Sequence, residues 1–339
     1  MISTYLLNKS VLYPLRPDLV SAQDNIGNKM PRIPRKILEA VIYLFPDEES
    51  AKRGSPNGGT GFLVGMPVKD LSGQYFVYAV TNWHVALGEG CSTIRINKHD
   101  GGTEIFSFEP DEWIGSKKYD IAIIPLENLD EKIHKVSVIP TTMFATRDVV
   151  SDCGISLGDD VYMIGRFIDH DGTKINVPSA RFGNISIMPT FLPQGMHFGP
   201  AETYCIDLHS RTGYSGSPVF MYRTFTSDLE GDPIEKQRFI PGSSLQLLPD
   251  LLHKFLGIHF AQFPEIFRLT AADSAQIQTH EGRVPLLTGA QINGLSGMTC
   301  VLPAWAVLEC LDDPKLRKER NCALEALEQT EENASDPNE

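Results

Sequence analysis

Nowhere does the sequence approach the roughly 18 uninterrupted apolar residues that a membrane-crossing helix needs. The apolar start at Tyr5, Leu6 and Leu7 is broken at once by Asn8 and Lys9, so neither a transmembrane helix nor a signal peptide is expected. Positive charge is also short. Thirty Lys and Arg stand against 43 Asp and Glu, a formal net charge of −13, and a surface of that sign repels phosphate backbones. No nucleic-acid partner and no membrane partner is expected. Cysteine is sparse and unpatterned: Cys91, Cys153, Cys205, Cys300, Cys310 and Cys322 show no C-x-x-C spacing and read as reduced thiols of a cytoplasmic protein. The nine histidines include no H-E-x-x-H and no alternating Cys/His cluster, which leaves a metal site and any cofactor without support. Asp169-His170-Asp171-Gly172 lacks the later bidentate Glu of a calcium loop and reads as a hairpin turn.

What is present is the material of a folded β protein. The 339 residues are 42% hydrophobic and 22% charged, ordinary for a globular chain of about two domains or one large β-rich unit. Residues 1–36 hold six cations and two anions and read as a flexible basic arm ahead of an acidic body. From Ile37 onward, short β-branched and aromatic runs alternate with Gly, Pro, Asn and Asp, the pattern of strands joined by tight turns. Twelve strands are expected, at 37–45, 61–66, 75–81, 93–97, 104–108, 120–125, 161–166, 182–188, 203–208, 217–222, 255–260 and 297–302. Few helices accompany them, which points to an all-β fold of antiparallel barrels or sandwiches. Helices are expected only at the end, from Ala304 to Leu311 and again after Asp313-Pro314, where an N-cap residue precedes a first-turn proline. The connections 223–254 and 261–296 are too long for ordinary turns and read as surface insertions with structure of their own or as a flap.

Three segments carry candidate chemistry. Gly59-Thr60-Gly61-Phe62-Leu63-Val64 precedes Thr81-Asn82-Trp83-His84-Val85. The glycines lack the Lys-Ser/Thr of a phosphate loop and fit a bulge or a close backbone approach. Asp120 heads the apolar run Ile121-Ala122-Ile123-Ile124; taken alone it is a turn residue that starts a strand. In Thr212-Gly213-Tyr214-Ser215-Gly216-Ser217-Pro218, glycines flank a serine, so the backbone can turn sharply and leave N–H groups free beside an exposed hydroxyl.

With His84, Asp120 and Ser215 in that order, each at a strand edge, residues 37–311 resemble the chymotrypsin-like (trypsin-like) serine peptidases. The resemblance implies a chymotrypsin-like double β-barrel of two six-stranded units with a C-terminal helix; residues 312–339, beyond it, read as a further helix and an acidic tail. It implies a His84–Asp120–Ser215 triad acting on a polypeptide substrate through an acyl-enzyme, with the N–H groups of Gly213 and Ser215 as oxyanion hole. Tyr214 stands where animal digestive enzymes of the family carry an Asp that pairs with a newly cut N-terminus, so that activation route is not expected.

Phe255-Leu256-Gly257-Ile258-His259 resembles the glutamyl endopeptidase branch and the chymotrypsin-like cysteine proteases of small RNA viruses. There the histidine, with a hydroxyl five residues before the nucleophile, receives a Glu or Gln side chain. The positions here are His259 and Ser210, and the expected preference is Glu first and Gln second. The chain departs from the branch at Phe260, Ala261 and Gln262, where a bulky residue and two glycines are usual. Two other readings compete. An α/β-hydrolase requires G-x-S-x-G followed by the acid and the histidine, and this chain has Ser217 at the second glycine and both partners before the serine. A catalytically silent scaffold on the same fold retains the motifs without turnover. A regulatory partner is compatible with the long connections.

Overall fold

The computed structural model describes residues 13–14, 33–69, 71, 73–168, 174–223, 253–268, 276–279, 282–285 and 291–335. The expected hairpin turn at 169–172, nearly all of the 223–254 connection, and most of the 1–36 arm lie outside these residues.

Two β units follow one another. The first contains β1 (Tyr13–Pro14), β2 (Val41–Phe45), β3 (Gly59–Pro67), β4 (Gln74–Thr81), β5 (Thr93–Asn97), β6 (Thr103–Phe106), β7 (Ile114–Gly115), β8 (Ala122–Pro125) and β9 (Ile139–Pro140). They form a single sheet ordered β6-β5-β2-β3-β4-β8-β7, with β1 paired to β4 and β9 parallel to β3. The second contains β10 (Asp160–Gly165), β11 (Ser179–Leu192), β12 (Ala201–Asp207), β13 (Pro218–Tyr222), β14 (His253–Arg268) and β17 (Gln291–Pro303), closed as β10-β11-β12-β17-β14-β13. A small hairpin of β15 (Gln276–Thr279) and β16 (Gly282–Pro285) stands apart. The all-β expectation holds, with one unit a closed six-stranded barrel and the other a longer sheet.

Two-residue periodicity builds the cores. On β4, Val77 and Ala79 point into the first unit with Leu44, Ile94 and Ile124. Phe76, Tyr78 and Val80 point the other way, into the layer between the units. β10 repeats the division, with Val161 and Met163 inside the second barrel and Tyr162 and Ile164 in the shared layer. That layer also takes Phe62, Phe144, Phe220 and Phe255, whose rings meet at centroid distances of 5.2 Å (Phe62–Phe255) and 4.6 Å (Phe144–Phe255). Helix Ala304–Leu311 buries Ala304, Val307 and Leu311 against it, and a second helix runs over Pro314–Ser335.

Helices are expected only at the end, but Glu48–Arg53 and Arg147–Asp152 are helical as well, and strand bounds also differ. Residues 37–39 are the end of a short helix, Arg35–Glu39, and the strand begins only at Val41. The helix follows Pro34, which stands at its N-cap, and exposes Arg35 and Lys36 while burying Ile37. The strands expected at 255–260 and 297–302 are longer, running over His253–Arg268 and Gln291–Pro303. β14 and β17 stay paired from Gly257↔Pro303 out to Arg268↔Gln291, so the hairpin extends beyond the barrel.

Candidate active site

The histidine segment leaves β4 at Thr81 and enters one wide helical turn, His84–Gly88, closed by the Glu89 N–H on the His84 carbonyl at 2.7 Å. Asp120 occupies a tight turn just before β8, where the Ile121 N–H reaches the Tyr119 carbonyl at 2.7 Å. The two side chains meet. Asp120 Oδ2 lies 2.6 Å from His84 Nδ1, and Asp120 Oδ1 accepts the His84 backbone N–H at 2.9 Å. Since an ionised carboxylate can only accept, Nδ1 carries the proton and Nε2 presents its lone pair. Asn82 Nδ2 donates to the Asp120 carbonyl at 2.9 Å, and the Asp120 N–H donates to Gln194 Oε1 at 3.0 Å. Burial of the imidazole works against its protonated form, yet the Asp120 hydrogen bond and charge, with Glu89 adding to them, raise the His84 pKa above its ordinary value.

The serine loop is stitched to both units. From the first, Thr60 N–H donates to the Ser215 carbonyl at 2.9 Å and Thr60 Oγ1 to the Gly213 carbonyl at 2.6 Å. From the second, Gly216 N–H donates to the His259 carbonyl at 3.0 Å and His259 N–H to the Ser217 carbonyl at 2.9 Å. Gly213 (φ +96°) and Gly216 (φ +83°) both take conformations that L side chains rarely adopt. A Cβ on Gly216 would lie 2.0 Å from the Thr60 carbonyl oxygen. Tyr214 is fully buried, its hydroxyl bonded to Ser179 and accepting from Arg181 Nε at 3.3 Å; it anchors the loop to β11. Among the described residues, the N–H groups of Gly213 and Ser215 have no acceptor, the condition for holding a developing oxyanion.

Ser215 lines a cavity of about 650 Å³ together with Gly58, Val85, Gly213, His259 and Gln262. Among the described residues, no hydrogen bond joins its hydroxyl to His84. Pairs of this kind are often loose without substrate and tighten in the complex. His259 is buried, with Nδ1 3.2 Å from the Cys300 carbonyl and Nε2 2.8 Å from Ser210 Oγ. A carbonyl only accepts, so Nδ1 holds the proton and Nε2 accepts from Ser210. Desolvation lowers the His259 pKa to about 4. Ser210 is 1% exposed and does not line the cavity.

Sequence reasoning missed three residues that hold the site. Thr60 and Asn82 lie inside the quoted motifs, so the signal was there. Gln194 has no motif.

No protein-family model matches the chain, and no curated protein matches it. Solved structures similar to it include the protease domain of MamO from Magnetospirillum magneticum, at 13% identity, TM-score 0.42, covering 82% of this chain and 98% of that one. The HtrA-type protease AlgW with decapeptide is 15% identical at TM-score 0.40, over 81% of this chain and 63% of that one. The inactive form of Rv3671c from M. tuberculosis, a serine-to-alanine mutant, is 16% identical at TM-score 0.40, over 81% and 86%. By its own strand pairing the chain is an all-β fold of two units, one of them a closed six-stranded barrel. In these terms His84 and Asp120 belong to the first β unit, while Ser215 opens the strand β13 of the second, so the candidate site sits where the two units meet.

Proposed function

We propose that the protein is a serine endopeptidase. The observation that carries the reading is the 2.6 Å His84–Asp120 pair at the margin of a cavity holding Ser215 and the unpartnered N–H groups of Gly213 and Ser215. In this reading a peptide enters the cavity and its carbonyl oxygen turns toward those two N–H groups. Ser215 Oγ attacks the carbonyl carbon while His84 Nε2 takes its proton. Asp120 keeps the imidazole in the required tautomer and stabilises its charged form. His84 then protonates the departing amine, and water repeats the sequence on the acyl-enzyme. The oxyanion hole supplies the largest share of rate, about 10²–10³ per donor.

Selection of Glu or Gln before the cut is a second part of the proposal, and the hydrogen bonds favour Gln. Neutral His259 spends its only N–H on the Cys300 carbonyl and its Nε2 lone pair on the Ser210 hydroxyl, so it has no donor to offer a carboxylate. A Gln amide N–H can replace Ser210 on Nε2, which frees the Ser210 hydroxyl to turn and donate to the Gln oxygen. A Glu requires protonation of His259 against its lowered pKa. The test is cleavage of matched peptides carrying Gln, Glu, Leu or Arg at that position. Gln preferred over Glu at neutral pH, with Glu gaining as the pH falls, supports this wiring, and a preference for Leu or Arg ends it.

The absent Ser215–His84 bond is the one feature that favours the alternative, a silent protein on this fold. Peptide cleavage lost in Ser215→Ala separates the two.

A further inference from the structure

The loop between β11 and β12, residues 193–200, sends one side chain beneath the candidate site. Gln194 is 5% exposed although its neighbours Pro193, Gly195, Met196 and His197 are exposed. Its amide uses both ends. Oε1 accepts the Asp120 backbone N–H at 3.0 Å, and Nε2 donates to the carbonyls of Lys118 and Gly199, each at 2.9 Å. The orientation is fixed by the partners, since an N–H requires the oxygen and two carbonyls require the nitrogen. The same loop packs its His197 and Phe198 rings on Trp83, the residue before His84, at centroid distances of 5.2 Å and 5.6 Å. Both members of the pair are thereby gripped from one loop, Asp120 through its own N–H and His84 through the adjoining ring.

We propose that Gln194 is a positioning residue for the Asp120–His84 pair, fixing the Asp120 main chain so that its carboxylate meets Nδ1. The inference rests on reading that pair as the working part of a hydrolase. Gln194 does not line the cavity, so it acts on turnover and leaves substrate binding alone. Partners that orient metal-ligating side chains through one hydrogen bond typically change affinity or activity by about 10–100-fold when lost, and an effect of the same order is expected for a partner that orients Asp120. The titratable groups around it are His84 and Asp120 themselves, Glu89 beyond His84, His197 in the same loop, and Lys118, whose ammonium is paired with Glu309 at 3.0 Å.

The test uses Gln194→Met, which keeps length and removes all three bonds, and Gln194→Glu. Two readouts are taken on the full chain: kcat and KM on a cleaved peptide, and the His84 titration by nitrogen-resolved NMR. Gln194→Met is expected to lose about 10–100-fold in kcat with KM nearly unchanged, and its His84 pKa is expected to fall toward the ordinary value as the Asp120 contact loosens. Gln194→Glu is expected to recover kcat relative to wild type as the pH falls, because only the protonated acid offers one donor and one acceptor there. A Gln194→Met protein with wild-type kcat and wild-type His84 titration overturns the proposal. So does a Gln194→Glu to wild-type ratio that is flat with pH. If wild type cleaves nothing, the peptidase reading fails, while the NMR titration still decides whether Gln194 positions the pair.

Discussion

Thr60→Val removes one hydroxyl and keeps the shape of the side chain. The hydroxyl is fully buried, donates to the Gly213 carbonyl at 2.6 Å and accepts from the Arg166 N–H at 2.9 Å. Valine leaves both groups without that partner in a dry setting, at a cost of about 1–3 kcal/mol for each. In a chain of this size each kcal/mol lowers the melting temperature by about 2–4 °C, so a drop of several degrees is expected. Activity should fall further than stability alone explains. The tether on the Gly213 carbonyl also holds the Gly213–Tyr214 peptide plane, whose N–H donates to the Arg211 carbonyl at 3.2 Å; that plane lies between the Gly213 and Ser215 N–H groups and sets their spacing, and a lost oxyanion donor costs about 10²–10³ in turnover. Thr60→Ser keeps the hydroxyl and sheds one methyl, so it should lose about 1 kcal/mol and little activity. The assay is kcat/KM on a peptide beside thermal melting for all three proteins. Wild-type turnover in a well-folded Thr60→Val protein refutes the idea that Thr60 sets the oxyanion hole.

Asp120→Asn should lower kcat by about 10⁴ by presenting the wrong tautomer of His84, read by steady-state kinetics on the refolded protein. The acid limb of the kcat/KM profile should lie above the ordinary histidine value, since His84 must be neutral to act and its pKa is raised; Asp120→Asn should move that limb downward. The same raised pKa adds stability that is fully present below the unfolded value and lost as the pH rises through the folded one. His253 and His259, both lowered to about 4 by burial, act oppositely: stability should fall as the pH drops from about 6.5 to about 4, and His259→Gln should flatten that slope in urea titrations. Gly213→Ala should be both unstable and inactive, as its Cβ would lie 2.6 Å from Ile168 Cγ1 and 2.8 Å from the Arg166 carbonyl oxygen at φ +96°; circular dichroism and peptide turnover check each half.

The parts of the site that were legible in the sequence are those written in contiguous motifs. Thr81-Asn82-Trp83-His84, Asp120-Ile121-Ala122-Ile123 and Gly213-Tyr214-Ser215-Gly216-Ser217 each carry their own turn chemistry, and the structure brings the first two together at 2.6 Å. Gln194 was invisible because its role depends on a loop of one β unit reaching the turn before β8 in the other, 74 residues away in sequence. His259 and Ser210 were found as a pair, but the direction of their bond is set by the Cys300 carbonyl on the other side of the ring, a cross-strand neighbour that spacing does not reveal. Strand lengths were read short at β14 and β17 because pairing between those two strands, through two register shifts, extends them past the point where alternation fades. Residues 37–39 were read as strand because Ile37 and Leu38 run into the apolar β2, and burial alone does not separate a helical turn from a strand over so few residues.

The central claim is that Ser215 is a nucleophile made reactive by the His84–Asp120 pair. Reaction with a fluorophosphonate, followed by intact mass and peptide mapping, tests it without knowledge of the natural substrate. A single adduct on Ser215 in wild type, absent in Ser215→Ala and strongly slowed in His84→Ala, is the predicted result. A wild-type protein that is folded by circular dichroism and takes up no label, or labels equally well without His84, contradicts it.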